Sequence, residues 1–171
     1  MAAIIGASYP DIFTAVGVHS GLPSGSASNA AEALMVMKSA GGIGPVSAPV
    51  ASKPIPTIVF HGDKDPTVHV RNGEKVLTAA LGDRGGRSPT GTATTHASTV
   101  AQGVTQRGRR FTRTSYCNEA GTPLAEHWVL HGAGHAWSGG STNGSYTDSS
   151  GPDASREMLR FFFSQPQRQA H

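Results

Sequence analysis

Residues 56–65 read PTIVFHGDKD, and this stretch decides the fold. The β-branched and aromatic run Thr57–Phe60 is the clearest strand in the chain. It stops abruptly at His61-Gly62 and is followed by Asp63, Lys64 and Asp65. Just after it, PTVHVRNGEKVLTAALG reads as a helix that ends near Gly82. Upstream, FTAVGVHSG carries a second, buried strand from about Thr14 to His19, and NAAEALMVMKSAGG a helix from about Ser28 to Ser39. Residues Met1 to Tyr9 read as a short apolar helix stopped by Pro10. Met35 and Met37 read as core filling or cap packing.

Downstream, RRFTRTSYCN, a short EAGTPL turn and EHWVLHG read as a β-hairpin. The chain closes with GPDASREMLRFFFSQ. Pro152 stands early, Asp153 and Ser155 are candidate caps, and Met158, Leu159, Phe162 and Phe163 form the apolar stripe of an amphipathic helix. Residues 43–56 form a proline-rich linker, and Gly-, Ser- and Thr-rich residues 84–103 read as a flexible insertion. Strands alternating with helices argue for an α/β domain with a mostly parallel sheet. Such sheets carry their active residues in loops at the C-terminal ends of the strands. Three polar clusters fall there: His19-Ser20-Gly21, His61 to Asp65, and Gly134 to Trp137.

Composition narrows the classes. The 171 residues suffice for one domain, and 22 glycines with only 15% charged residues describe a loop-rich soluble domain rather than a helical bundle or a disordered tail. The net charge of +3 is mild. The basic cluster QRGRRFTR reads as a solvated strand or hairpin edge, so no nucleic-acid partner is expected. Cys117 is the only cysteine, which excludes an internal disulfide and a cysteine-built zinc site. No run of about 18 apolar residues occurs, so no membrane span is expected. The first residues, MAAIIGASYPDIF, lack a basic leader region and read as the interior of a domain.

His127, His131 and His135 stand every fourth residue in EHWVLHGAGHAWSGG. On a helix they would share a face and could hold a metal. Trp128, Val129 and Leu130 favour a strand instead, and Gly132 and Gly134 oppose a helix. In a strand, residues four apart are separated by roughly 13 Å. That is too far to share an ion held at about 2 Å per ligand. No metal is therefore expected, and no other cofactor. His127 and His131 read as structural or surface residues. His135 follows Gly-Ala-Gly just past the strand and is the candidate catalytic base. Asp63 and Asp65 are the candidate carboxylates that would hold its tautomer. The order Asp then His suits an α/β-type hydrolase, whose triad runs Ser…Asp…His.

GVHSGLPSG, PTIVFHGDKDPTVHVRN, HWVLHGAGHAWSGG and GPDASREMLRFF, in that order, resemble the polyhydroxybutyrate depolymerase family of esterases, related to feruloyl and acetylxylan esterases. The resemblance runs from Met1 to about Phe163 apart from the insertion. It implies an α/β-hydrolase-like fold, here the C-terminal part of the sheet with its flanking helices, and a Ser-His-Asp mechanism on polyester, aryl or carbohydrate esters. By the family's H-G-x-x-D pattern Asp65 is the triad acid, and by its G-x-G-H-x-W pattern His135 is the base. Trp137 would line the substrate cleft, with His19 and Ser20 on the same rim. The family also suggests secretion.

The nucleophile elbow G-x-S-x-G does not occur in the 171 residues. The expectation is that the serine lies upstream of Met1 and that residues 1–171 form one partial domain. A half-sheet with an open edge would then favour pairing with another copy of the chain. Two alternatives stand beside this. Ser20 could serve as a substitute nucleophile, or the chain could be a catalytically incomplete polymer- or carbohydrate-binding or assembly module.

Overall fold

The computed structural model describes residues 1–39, 55–81 and 97–166. Four helices surround a five-stranded sheet: α1 (Ala2–Ser8), β1 (Val16–His19), α2 (Ala30–Lys38), β2 (Thr57–Gly62), α3 (Arg71–Leu81), β3 (Ala97–Val104), β4 (Arg110–Cys117), β5 (Pro123–Leu130), β6 (Trp137–Ser138), β7 (Thr147–Asp148) and α4 (Ala154–Phe163). The sheet order is β1-β2-β5-β4-β3, and β6 and β7 form a separate two-stranded ladder.

The sheet is mixed, not mostly parallel. β1, β2 and β5 run parallel to one another, while β4 is antiparallel to both of its neighbours, β5 and β3. The reason is the connection. β1 and β2 are separated by α2, which allows a crossover, whereas β3, β4 and β5 follow one another through short turns and can only fold back. β4 and β5 form the expected hairpin, although β5 begins at Pro123, inside the expected turn, rather than at Glu126.

β2 is central, and all six of its residues are buried. Its side chains alternate between two cores. Ile58 and Phe60 join Trp128, Leu130, Met158 and Phe161 beneath α4. Val59 joins Val16, Val18 and Val76 on the opposite face, with Ala3 of α1 packed alongside. Aromatic stacking binds the first core: Phe60 lies 5.2 Å from Trp128, and Phe111 5.1 Å from Trp128. The α4 stripe differs from the expected one. Phe161 is fully buried, whereas Leu159 and Phe163 face outward. Asp153 caps this helix by accepting the Arg156 N–H, while Ser155 instead accepts from the Trp137 indole. Met35 is exposed too, and the buried residue of α2 is Val36. Asn72 of α3 donates to the Val36 carbonyl and holds α2 in place.

Residues 97–103 are not part of a flexible insertion, because they form most of β3, paired along its length with β4. Residues 84–96 and most of the proline-rich linker lie outside the described residues. β1 and β3 are the two sheet edges among the described residues.

Candidate active site

The parallel strands β1, β2 and β5 end on the same rim, and each end delivers polar groups. β1 ends in His19 and leads to Ser20. β2 ends in His61-Gly62 and turns into the loop holding Asp63 and Asp65. β5 ends in Leu130 and leads through a glycine-rich loop to His135. Topology therefore gathers what the sequence scatters over more than 100 positions.

His135 and Asp65 meet. His135 Nδ1 lies 2.8 Å from Asp65 Oδ2. The other carboxylate oxygen, Oδ1, accepts the N–H groups of Thr67 (2.8 Å) and Val68 (2.9 Å). The acid is thus held by its own turn before it touches the histidine. Burial pushes Asp65 upward, but the Val68, His135 and Thr67 hydrogen bonds outweigh it and hold the carboxyl below its ordinary range. Asp65 stays an anion at neutral pH, and a carboxylate can only accept, so His135 carries its proton on Nδ1. Its other nitrogen, Nε2, then has a free lone pair. The Asp65 side chain is wholly buried, whereas His135 is 42% exposed and lines an open cleft with His19, Ser20, Ala136, Trp137 and Tyr146.

The residues expected on the rim are there, with duties that the sequence did not reveal. His19 is sandwiched between Phe60 (5.9 Å, nearly parallel) and Trp137 (5.0 Å). Its Nε2 accepts the Ser138 N–H at 3.0 Å, so its proton sits on Nδ1. Trp137 is fixed on its far side by its indole N–H to Ser155 Oγ, at 3.2 Å. Ser20 is buried and adopts a left-handed backbone with φ 48°, the one non-glycine among the described residues to do so. Backbone strain of this kind in a non-glycine residue accumulates at functional sites. The Ser20 hydroxyl faces Asp65 without reaching hydrogen-bond geometry.

Three imidazoles surround this acid. His61 Nε2 lies 3.7 Å from Asp65 Oδ2 and donates to the Val68 carbonyl at 2.8 Å. Burial keeps His61 and His127 below the ordinary imidazole range. Burial also lowers His19 to about 4, helped by the proximity of His61 and His135 and opposed by Asp65. An unfolded chain protonates His19 near pH 6.5, while the folded chain resists down to about 4, so stability falls as pH falls through that window. The gap corresponds to about 3 kcal/mol at its lower end. Urea midpoints are expected to drop between pH 7 and pH 5, and His19→Gln is expected to flatten that slope. An unchanged slope in the variant would place the acid sensitivity elsewhere.

Of the histidine ladder only His127 lies on β5, and His131 and His135 follow the strand's end, so the expectation that His127 and His131 share a strand face is corrected. His127 is buried on β5, and among the described residues no group of three or more His, Cys, Asp or Glu side chains could hold a metal. His131 was missed as a partner. Its Nδ1 lies 3.0 Å from Asp63 Oδ2 and its Nε2 2.8 Å from Thr112 Oγ1. The sequence shows two carboxylates two residues apart and two histidines four apart, but only the adjacency of the two loops pairs them. Tyr146, 84% exposed at the cleft mouth, was also missed because it sits in the turn just before β7, in a stretch with no hydrophobic pattern.

A family model described as Esterase PHB depolymerase matches residues 1–109. No curated protein matches the chain. The match spans well over half of the 171 residues, and the chain belongs to this family. It includes His19, Ser20 and Asp65, and His135 and Trp137 lie beyond it. The membership supports a carboxylic ester hydrolase type of function and is compatible with an α/β-hydrolase-like fold.

Proposed function

We propose that this member of the esterase family supplies the base and the acid of a serine-type carboxylic ester hydrolase, with His135 as base, Asp65 as its orienting acid, and a serine that is not among residues 1–171. The observation that carries the reading is the 2.8 Å contact between His135 Nδ1 and a buried Asp65, with His135 on the cleft. A base oriented through one nitrogen and open at the other is what proton abstraction from a hydroxyl requires.

In the proposed cycle, the serine oxygen adds to the ester carbonyl carbon and its proton passes to His135 Nε2. Asp65 stabilises the imidazolium through Nδ1–H without taking its proton. Backbone N–H groups bind the oxyanion. As the intermediate collapses, the ester C–O bond breaks and His135 returns the proton to the departing alcohol. Water then repeats the addition, with His135 again as base, and releases the carboxylic acid. Trp137, stacked on His19, and Tyr146 offer aromatic faces for an aryl, carbohydrate or polyester chain.

The edge of β1 is where a serine-bearing strand, or a second copy of the chain, would add. β1 is a sheet edge whose Ser20 end adjoins Asp65, and α1 with its following turn exposes Ile4, Ile5, Ile12 and Phe13. A serine-directed fluorophosphonate tests the assignment. Labelling of the assembled enzyme is expected to be lost in His135→Ala, and retained labelling would refute His135 as base. The binding-module alternative is recognised by retention on polymer with no ester turnover in that same assembly.

A further inference from the structure

Asp63, the carboxylate that the family pattern passes over, is also engaged at both oxygens. Its Oδ2 accepts from His131 Nδ1 at 3.0 Å and its Oδ1 from the Gly132 N–H at 2.7 Å. Its own N–H donates to the Leu130 carbonyl, and the next residue, Lys64, donates to the Ala133 carbonyl at 3.0 Å. Two residues on, Asp65 takes His135. The loop after β2 and the loop after β5 are therefore zipped together from 63 to 65 and from 131 to 135. They pass close to one another: a Cβ on Gly62 would stand 2.3 Å from the Ala133 carbonyl oxygen, so only glycine fits there. At the outer end, the Thr112 hydroxyl meets His131 Nε2 at 2.8 Å and ties the zip to β4.

The chain Thr112–His131–Asp63 has the shape of a nucleophile, base and acid, but its position argues against catalysis. Thr112 lies within β4, which is paired on both sides, to Gln102 of β3 and Val129 of β5. The backbone N–H groups around it are committed to those ladders, so none is free to bind an oxyanion there. The chain has a different use.

We propose that Asp63 and His131 are positioning residues, a brace that holds His135 against Asp65 and fixes its proton on Nδ1. The inference rests on the base–acid reading of His135 and Asp65. The physical ground is that the His135 loop is rich in glycine and cannot order itself: Gly132 adopts φ 73°, and Gly134 follows two residues later. Ala133 is the loop's one core-packed side chain, so on either side of it the loop takes its position from what it is bonded to. Asp63 bonds its first two residues directly, so Asp63 sets where the third and fourth lead. A catalytic hydrogen bond misplaced by 1 Å loses rate steeply.

Long-range ¹H–¹⁵N NMR of the imidazoles reads the tautomer of each histidine in the full chain, with no need for ester turnover. At pH 9, where ordinary imidazoles are neutral, His135 is expected to be the Nδ1–H tautomer in the wild type. Asp65→Asn is expected to move His135 toward Nε2–H. Asp63→Asn is expected to change His131 and also to lower the Nδ1–H to Nε2–H ratio at His135 by about twofold or more, as neighbours in one hydrogen-bond network couple. A change at His131 with His135 as in the wild type would overturn the brace. No change at His135 in Asp65→Asn would instead sink the base–acid reading, so the two failures are distinct. Should Asp63→Asn not fold, His131→Gln removes the ring while leaving Asp63 its Gly132 N–H; a lowered Nδ1–H to Nε2–H ratio at His135 is expected there, and a His135 tautomer as in the wild type would overturn the brace.

Discussion

Asp65→Asn, made in the assembly that includes the serine, is expected to lower kcat by about 10⁴-fold with little change in KM. The amide is nearly isosteric and keeps an oxygen for the Thr67 and Val68 N–H groups, so the turn that holds residue 65 survives. What changes is the partner of His135. A carboxylate accepts from Nδ1–H and leaves Nε2 as a base. An amide that turns its NH₂ toward the ring forces the proton to Nε2, and the ring can then accept nothing from a serine. It also removes the negative charge that stabilises the imidazolium in a buried setting, where Asp65 is shielded from water. Steady-state kinetics on a soluble p-nitrophenyl ester checks the result. A loss confined to KM would mean that Asp65 shapes substrate binding and not proton transfer.

Phe161→Ala is expected to destabilise the fold by about 3–5 kcal/mol. The ring is fully buried among Ile58, Phe60, Trp128, Leu130, Ala154 and Met158, where α4 covers one face of the sheet. Removing it leaves a cavity in a close-packed aromatic layer rather than a surface gap that side chains can fill. The loss is a large fraction of the roughly 5–15 kcal/mol that stabilises a domain. Phe163→Ala, two residues later and 80% exposed, is expected to change stability by about 0.5 kcal/mol or less. Urea titrations of the two variants, read at constant m-value, separate them. Equal effects would mean that α4 docks on a different face.

The same pair of residues shows where the sequence is legible. Strands buried on both faces announce themselves, because every position must be apolar. β2 does so from Thr57 to Phe60, and its polar stop marks the site. β3 does not, because it is an edge strand with Val100 and Val104 largely exposed and Gly103 tucked against the Phe111 ring. Its composition reads as loop, and only pairing with β4 makes it a strand. The run of three phenylalanines in α4 hides its own phase, since any of them completes an apolar stripe, and packing alone selects Phe161. Motifs at strand ends single out Asp65, His135, His19, Ser20 and Trp137, and the structure brings them to one rim. The Asp63–His131 contact is not legible there, because His131 looks like a residue without a partner until the two loops lie side by side.

The proposed role of His135, a catalytic base for a serine that is not among residues 1–171, can be tested directly. The direct measurement is fluorophosphonate labelling followed by peptide mapping, on the chain alone and on the chain joined before Met1 to a G-x-S-x-G-bearing half of the same family. With His135 as the base, no adduct is expected on any serine of residues 1–171 in either protein, an adduct is expected on the elbow serine of the joined protein, and it is expected to be lost in His135→Ala. An adduct on Ser20 or another serine of this chain, or elbow labelling that survives His135→Ala, would contradict that role.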